Sequence, residues 1–528
     1  MKKPFLLLLL ISSFSWGYSQ KPDAVIDVLH YTFNVSLNDT TDIIEGHALV
    51  SFKVLKPTKS ILLNLVSISE NKKGMVVLSV LDRQPISYQH NNDILKISFN
   101  NTLEVGTEKE IEIFYKGVPK EGLLIGPNKF RRRSFFADHW PDRARNWLPC
   151  VDHLADKAMV DFVVTAPDHY QVIANGIQVE ESTVGNHLKL THYKETVPLP
   201  TKVMVIGVAD FAVQLAGMVD CIPVQSWIYP EDRVNGFEDY SDAVKILPFY
   251  INNIGPYGYK KLANVQSKTT YGGLENASAI FYYENSITGT HASEGLMAHE
   301  IAHQWFGNMA TEKEWAHVWL SEGFATYMTN LYMESQYGRD TLVAMLKKQR
   351  EETISFSKKN QRPIVDSSTT NLMQLLNTNS YQKGGWILHM LRVQLGDSTF
   401  WKGIRTYYGR YAGKNASTED LQKVFEEVSG KPLGYYFNQW LYTPGQPKLD
   451  ISWTYDVEKK IATYTILQKQ ETSFIFPLEL QIVGGSEDGI ITKSIQIKDK
   501  ETKFNLPMSE APVKIVVDPN VKLLFEKA

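Results

Sequence analysis

Two histidines near the middle of the chain have the type and spacing of metal ligands. His299 and His303 are four residues apart within residues 294–308, a stretch with helical periodicity. Side chains four apart on a helix project from the same face, one turn above the other. Their imidazoles can therefore ligate one zinc ion, and Glu300 would lie beside that metal, where it can handle a proton. The pattern predicts a helical metal site with hydrolytic chemistry.

A third ligand is required, because hydrolytic zinc sites hold the metal with three protein groups and leave the fourth position to water. Eighteen residues separate His303 from Glu322, which lies at the start of a second predicted helix that ends before Gly338. The alternative is a buried helix with two satisfied histidines, since the five-residue pattern fixes only three positions. The presence of Glu322 favours the metal site.

The elements that must position these residues divide the rest of the chain into three regions. Residues 20–212 alternate apolar and polar side chains with period two, which predicts a β-rich N-terminal domain. Residues 213–445 carry mainly helical patterns and predict the domain that holds the metal site. Residues 446–528 return to alternation and predict a small C-terminal β-sandwich module. The expected fold class is therefore α+β, with several domains.

Some individual elements have recognisable bounds. The last N-terminal strand is expected at residues 202–208, and one helix is expected at residues 239–254. Ser293 offers an N-cap oxygen to the first metal helix. Ser417 with Asp420 is a capping signal for a later helix.

Length, charge and composition limit the class of protein. At 528 residues the chain is too long for one core, so two to four domains are expected. A formal net charge of -3 and a pI near 6.5 argue against nucleic acid as a partner. The two cysteines, Cys150 and Cys221, could pair in an oxidising compartment or remain buried free thiols.

The first nineteen residues are typical of a secretory signal peptide. Lys2 and Lys3 precede an apolar run at residues 5–11, and cleavage is expected before Gln20. The run is too short for a membrane anchor, and no later stretch approaches the length of a bilayer span. We therefore expect an exported protein, periplasmic or secreted, without a stable membrane anchor.

The run Gly272-Gly273-Leu274-Glu275-Asn276, together with the metal stretch, resembles the aminopeptidase N family of zinc metallopeptidases, which also contains leukotriene hydrolase. Its members carry Gly-x-Met-Glu-Asn, then His-Glu-x-x-His, then a glutamate after eighteen further residues. Other segments match the family in the same order: Leu148-Pro149-Cys150-Val151-Asp152, Tyr381-Gln382-Lys383-Gly384 and Gln439-Trp440-Leu441-Tyr442. The resemblance implies a thermolysin-like catalytic domain over residues 213–445.

The resemblance also implies a role for each site residue. His299, His303 and Glu322 would hold one Zn2+. Glu300 would take a proton from the attacking water and return it to the leaving amine, and Tyr381 would stabilise the oxyanion. These roles imply a zinc-dependent aminopeptidase.

Glu275 would decide what kind of peptidase this is. A carboxylate close to the zinc can pair with a free α-ammonium group and fix the first peptide bond over the metal. Gly272 and Gly273 would let the substrate backbone approach closely. The expected partners are therefore peptides with a free N-terminus. By itself Glu275 would be interpreted as a turn glutamate.

Three positions depart from the family pattern. Leu274 stands where methionine is usual, and Ser321 replaces the usual asparagine before the glutamate ligand. Asp138 stands where many members have a glutamine that helps to hold the amine. A second acid there should strengthen the attraction for a cationic N-terminus, or bind a basic side chain.

Many family members also continue after the small β module with a long helical domain over the active site. The chain ends at Ala528, so it is expected to be a short form without that domain. Its cleft would then be open to longer peptides or covered by another subunit.

Two other functions remain open from the sequence: a zinc endopeptidase on the same frame, and a non-catalytic peptide-binding relative. Glu275 argues against the first, because an internal peptide segment has no ammonium group to offer. The presence of both Glu300 and Tyr381 argues against the second, because a binding protein needs neither a base nor an oxyanion donor.

Overall fold

The computed structural model describes residues 24–485 and 488–528. The expected signal peptide lies outside these residues. In the part of the chain that the structure describes, no helix is both long and apolar enough to cross a membrane.

The N-terminal region consists of strands, because period-two apolar residues can bury one face of a sheet. In the strand at residues 44–54, every second residue is buried. The strands are β1 (Ile26–Ser36), β2 (Ile44–Val54), β3 (Thr58–Asn64), β4 (Gly74–Asp82), β5 (Gln84–Pro85), β6 (Ser87–Asn91), β7 (Ile94–Leu103), β8 (Glu108–Val118), β9 (Leu123–Pro127), β10 (Arg133–Ala137), β11 (Lys157–Pro167), β12 (Gln171–Ala174), β13 (Ile177–Thr183), β14 (Leu188–Pro200) and β15 (Ile206–Ala209).

These strands form three sheets. The largest has the order β13-β14-β11-β1-β2-β8-β4-β5, with β1 and β11 parallel and the other neighbours antiparallel. The two smaller sheets have the orders β12-β15-β10-β9 and β3-β7-β6.

The next region places helices around a sheet that mixes parallel and antiparallel strands. The helices are α1 (Arg233–Tyr240), α2 (Ala243–Asn253), α3 (Glu294–Ala302), α4 (Trp319–Tyr337), α5 (Arg339–Ser357), α6 (Gly384–Leu395), α7 (Asp397–Tyr411), α8 (Thr418–Ser429) and α9 (Gly434–Phe437). The strands are β16 (Ala212–Val219), β17 (Ile222–Ile228), β18 (Leu262–Ser267), β19 (Gly273–Leu274), β20 (Ala279–Tyr283), β21 (Thr311–Glu312) and β22 (Asn415–Ala416). The five-stranded sheet has the order β16-β17-β18-β20-β19, so the short strand β19 forms one edge.

The C-terminal region is a module of two small sheets. Its strands are β23 (Lys448–Asp456), β24 (Ile461–Gln468), β25 (Phe476–Val483), β26 (Ile490–Ile497), β27 (Glu501–Pro507), β28 (Lys514–Val517) and β29 (Glu526–Lys527). They are arranged as β27-β24-β23-β29 and β26-β25-β28. The predicted fold class, a β-rich domain, a mostly helical domain and a small C-terminal β module, is confirmed, while the residue numbers of the domain borders stay predictions.

Two predicted elements are wrong in detail. The helix expected at residues 239–254 is divided into α1 and α2, and between them the Ser241 hydroxyl donates to the Glu238 carbonyl at 2.7 Å. Such side-chain bonds compete with the helical backbone pattern. The strand expected at residues 202–208 begins only at Ile206, because Lys202 lies in a tight turn and pairs inward with Glu312.

Other details follow the sequence more closely. Helix α4 ends before Gly338 as expected, although it begins at Trp319, and Ser417 and Asp420 form a complete capping box at α8. Within the described ranges Cys150 is buried and Cys221 exposed, and neither forms a disulfide.

Candidate active site

The candidate metal ligands lie on two packed helices. His299 is in the last turn of α3, His303 follows directly after that helix, and Glu322 is in the first turn of α4. The cap expected from Ser293 is absent, because its hydroxyl donates to the Ser286 carbonyl instead. The His303 ring is held by Ser321 of α4 and by the Phe306 carbonyl in the turn that follows α3.

The three ligand atoms have the mutual spacing that a tetrahedral metal requires. The Nε2 atoms of His299 and His303 are 3.1 Å apart, and Glu322 Oε2 lies 3.5 Å and 3.3 Å from them. Ligands at zinc distances of about 2.0–2.1 Å in tetrahedral geometry are separated by about 3.3 Å. Despite these short distances, Glu322 Oε2 accepts no hydrogen bond from any described residue. The donor set therefore fits a zinc ion.

The pKa values of the metal-free ligands reflect their proximity. Burial opposes the charged form of His303, but the Glu322 carboxylate raises its pKa to about 9. Burial alone would raise the pKa of Glu322, and the two histidines instead hold it far below its usual value. Burial lowers the pKa of His299. A metal would therefore displace a proton from His303, because ligands bind in their deprotonated form.

Glu300 packs against the edge strand β19. A Cβ atom on Gly273 would lie 2.3 Å from Glu300 Oε1, whereas one on Gly272 would meet only Leu296 Cδ1 at 3.5 Å. Any side chain at position 273 would therefore clash with the Glu300 carboxylate. Burial raises the pKa of Glu300 to about 8, and the nearby carboxylates of Glu275 and Glu322 act in the same direction. Such a group can accept and return a proton near neutral pH.

Glu275 is held by residues that follow the candidate metal ligand His303. Its backbone carbonyl accepts hydrogen bonds from Gln304 Nε2 at 2.9 Å and Asn308 Nδ2 at 2.6 Å. The Glu275 side chain is 6% exposed, and its Oε1 has no hydrogen-bond partner among the described residues. Sequence reasoning did not identify Gln304 and Asn308 as site residues. Both follow within five residues of His303, and this closeness to the histidine pair could have indicated a supporting role. They fix the Glu275 backbone relative to the candidate metal ligands, while Oε1 of its side chain stays without a hydrogen-bond partner.

Tyr381 lies in a π-helical turn, Asn379–Lys383, directly before the regular helix α6. Its ring lies nearly parallel to that of His299, with the centroids 5.9 Å apart. Burial raises the pKa of Tyr381 well above its usual value, and Glu322 and Glu275 add to the effect. The hydroxyl therefore stays protonated and can donate a hydrogen bond in the site.

Asp138 is close enough to Glu275 for that carboxylate to raise the pKa of Asp138, but Asp138 also has a cationic partner. Burial raises the pKa of Asp138 to about 6, the Arg143 guanidinium opposes the shift, and Glu275 adds to it. The Asp138 carboxylate accepts a hydrogen bond from Arg143 Nη2. Arg143, which the sequence analysis missed, thus offsets the second negative charge that was expected beside the amine anchor.

Two histidines and a glutamate on packed helices, beside a buried glutamate, have the donor set of a hydrolytic metal site. Two family models match the chain. The Peptidase family M1 domain covers residues 239–440, and the Peptidase M1 N-terminal domain covers residues 28–203. The chain therefore belongs to peptidase family M1, which is the aminopeptidase N family that its motifs resemble.

Curated relatives agree with this assignment. Aminopeptidase M1-C of Oryza sativa subsp. japonica is 25% identical over 428 residues, which are 77% of this chain and 48% of that protein. Tricorn protease-interacting factor F2 of Thermoplasma acidophilum is 28% identical over 438 residues, 78% of this chain and 52% of that protein. The chain spans about half the length of these relatives.

A solved structure shares the fold. The crystal structure of Legionella pneumophila aminopeptidase A in complex with aspartic acid aligns with a TM-score of 0.83 and 15% sequence identity. The alignment covers 97% of this chain and 60% of that chain. The regions described above therefore have the same arrangement in both proteins.

Proposed function

We propose that this protein is a zinc-dependent aminopeptidase that removes the N-terminal residue from peptides. The observation that carries the proposal is the buried Glu275 carboxylate, whose Oε1 has no hydrogen-bond partner among the described residues. Gln304 and Asn308 hold the Glu275 backbone next to a three-ligand candidate metal site. A buried carboxylate without a partner is costly, and a substrate ammonium group would satisfy it.

Each site residue then has a defined task. Glu275 binds the α-ammonium group, which places the first peptide bond beside His299, His303 and Glu322. Zinc, when bound by these three ligands, supplies a Lewis acid and activates water for hydrolysis. Glu300 accepts a proton from the attacking water and returns it to the leaving amine.

Tyr381 completes the site as an oxyanion donor. Its protonated hydroxyl donates a hydrogen bond to the carbonyl oxygen as negative charge develops there. The π-helical turn directs this residue toward the ring of His299. Asp138 borders the amine anchor with its charge offset by Arg143, so Glu275 is the main anchor in this proposal.

We also propose that the protein is exported, on the basis of the signal-like pattern at residues 1–19. Its substrates would then be peptides in the periplasm or outside the cell. N-terminal sequencing of the protein secreted or released from cells would check this, with Gln20 as the expected first residue.

The catalytic proposal is tested with a panel of fluorogenic aminoacyl amides. Release of the fluorophore should stop with a zinc chelator, return when zinc is restored, and fall by several orders of magnitude in Glu300→Gln. A rate that is unchanged by the chelator or by Glu300→Gln would overturn the proposal.

A further inference from the structure

Ser321 contacts a metal ligand from the opposite side to the metal. It lies one residue before Glu322 on α4, is 1% exposed, and its Oγ is 3.0 Å from His303 Nδ1. The same Nδ1 lies 3.1 Å from the Phe306 carbonyl oxygen. Since a carbonyl only accepts, Nδ1 must carry a proton. The proton that a metal displaces from His303 is therefore the one on Nε2, whose lone pair then faces the other two candidate ligands.

The hydroxyl fits both neighbours. Ser321 Oγ can accept from His303 Nδ1 and lies 3.5 Å from the Phe306 carbonyl, toward which its own hydrogen can point. Its space is tightly bounded, because a Cβ atom on Gly307 would lie 2.1 Å from Ser321 Oγ and 3.3 Å from His303 Nδ1. Gly307 has a φ of +110°, so the turn after His303 folds directly over the serine.

We propose that Ser321 is a positioning residue for the metal: with the Phe306 carbonyl setting the tautomer, its hydroxyl holds the ring plane of His303 and couples the ring to the helix that carries Glu322. The inference rests on the proposed function, because it requires a metal at this site. Partners of this kind orient ligating histidines and increase their basicity.

The test compares Ser321→Ala with Ser267→Ala in the full chain, stripped of metal. Ser267 is a matched control, since it is also fully buried and its hydroxyl donates to the Tyr282 carbonyl at 3.0 Å. Zinc dissociation constants are measured by competition with a chromophoric chelator. Ser321→Ala should bind zinc about 10- to 100-fold more weakly, and Ser267→Ala should match the wild type.

Two further readouts separate positioning from a general loss of structure. The visible absorption spectrum with Co2+ should change in Ser321→Ala, while the metal-free melting temperatures of the two serine variants should be similar. A zinc dissociation constant within twofold of the wild type would overturn the inference. If the wild type itself binds no zinc, the proposed zinc-dependent function is wrong.

If Ser321→Ala does not fold, the contact at His303 Nδ1 is tested on the wild type by NMR. Long-range 1H–15N spectra of the 15N-histidine-labelled, zinc-loaded protein report the tautomer of His303, assigned by comparison with His303→Gln. A proton on Nδ1 in slow exchange with water is expected. An unprotonated Nδ1 would contradict the proposed contact.

Discussion

Three carboxylates lie close together in the site, and their mutual repulsion affects the protonation of the groups around them. Glu275, Glu300 and Glu322 lie close enough that each carboxylate raises the pKa of Glu300 or Tyr381. Glu275 Oε1 has no hydrogen-bond partner in the described structure. Unlike Glu322, Glu275 is not one of the candidate metal ligands. A substrate ammonium group is the partner that would relieve this concentration of negative charge.

Replacing Glu275 with glutamine should therefore weaken the binding of substrates with a free amine. A charged hydrogen bond contributes about 1.5–3 kcal/mol, so we expect KM to rise by about 10- to 100-fold. Steady-state kinetics on one aminoacyl amide measure this. Glu334→Gln, at the far end of α4, is the control and should leave KM unchanged. Equal KM values for all three proteins would exclude Glu275 as the anchor.

The protonation of His303 makes metal binding depend on pH. Its metal-free pKa of about 9 lies above the pH of most assays, so zinc must displace one proton there. The apparent zinc affinity should therefore fall about tenfold for each pH unit from 9 down to 7. Chelator competition, corrected for protonation of the chelator, measures the slope. An affinity that does not change over this range would contradict the expected pairing of His303 with Glu322.

At the scale of elements, two glycines bring the turn that holds Tyr381 close to the helix that holds Glu322. A Cβ atom on Gly323 of α4 would lie 2.9 Å from the Cα of Gly384. Gly384 begins α6, directly after the π-helical turn that holds Tyr381. The backbones can approach this closely because neither residue has a side chain. The distance between Glu322 and Tyr381 is thus fixed by the contact of α4 with this turn.

Gly323→Ala should separate α4 from the Tyr381 turn. We expect a loss of about 1–3 kcal/mol in stability, as for overpacked cores, and at least a tenfold fall in kcat. The matched control is Gly409→Ala in α7, where a Cβ atom would meet no described atom within 4 Å. This change should leave kcat unaltered and raise stability slightly. Wild-type kcat in Gly323→Ala would show that the glycine contact does not position Tyr381.

The sequence predicted these elements to different degrees. The pairing of His299 with His303 follows from local helical spacing, whereas Glu322 was inferred from its place in a second predicted helix. The metal role of all three stays a prediction. The π-helical turn lies beside the close contact between Gly323 and Gly384, which are far apart in the chain. The Asp138–Arg143 pair likewise has no periodic signal. Contacts between distant segments are set by packing, so a single sequence does not give them.

At the scale of the whole molecule, buried and half-buried lysines join the N-terminal strands to the helical region. Lys202 donates to Glu312 at 2.6 Å, and both side chains are almost fully buried. Lys261 donates to the Ala174 carbonyl at 2.7 Å, and Lys157 donates to the Met309 carbonyl at 3.0 Å. The Lys202–Glu312 pair also lies near the site, since Glu275 and Glu322 help to raise the pKa of Lys202.

Removing one member of this pair should destabilise the protein strongly. Lys202→Met leaves the Glu312 carboxylate buried without its partner, and such changes cost about 3–5 kcal/mol. The double variant Lys202→Met with Glu312→Leu should recover most of that loss, because two apolar groups replace the two charges. The midpoints of urea unfolding are measured for the wild type, Lys202→Met and the double variant. A double variant as unstable as Lys202→Met would show that packing, and not the unpaired charge, dominates.

The central claim is that Glu275 and the metal site together make an aminopeptidase, and one mass-spectrometric time course tests it most directly. A ten-residue peptide is supplied with its amine free or acetylated, each with and without a zinc chelator. We predict stepwise loss of N-terminal residues from the free peptide alone, stopped by the chelator. Equal internal cleavage of the free and acetylated peptides would contradict the account and indicate an endopeptidase, and no cleavage of either would favour a peptide-binding protein.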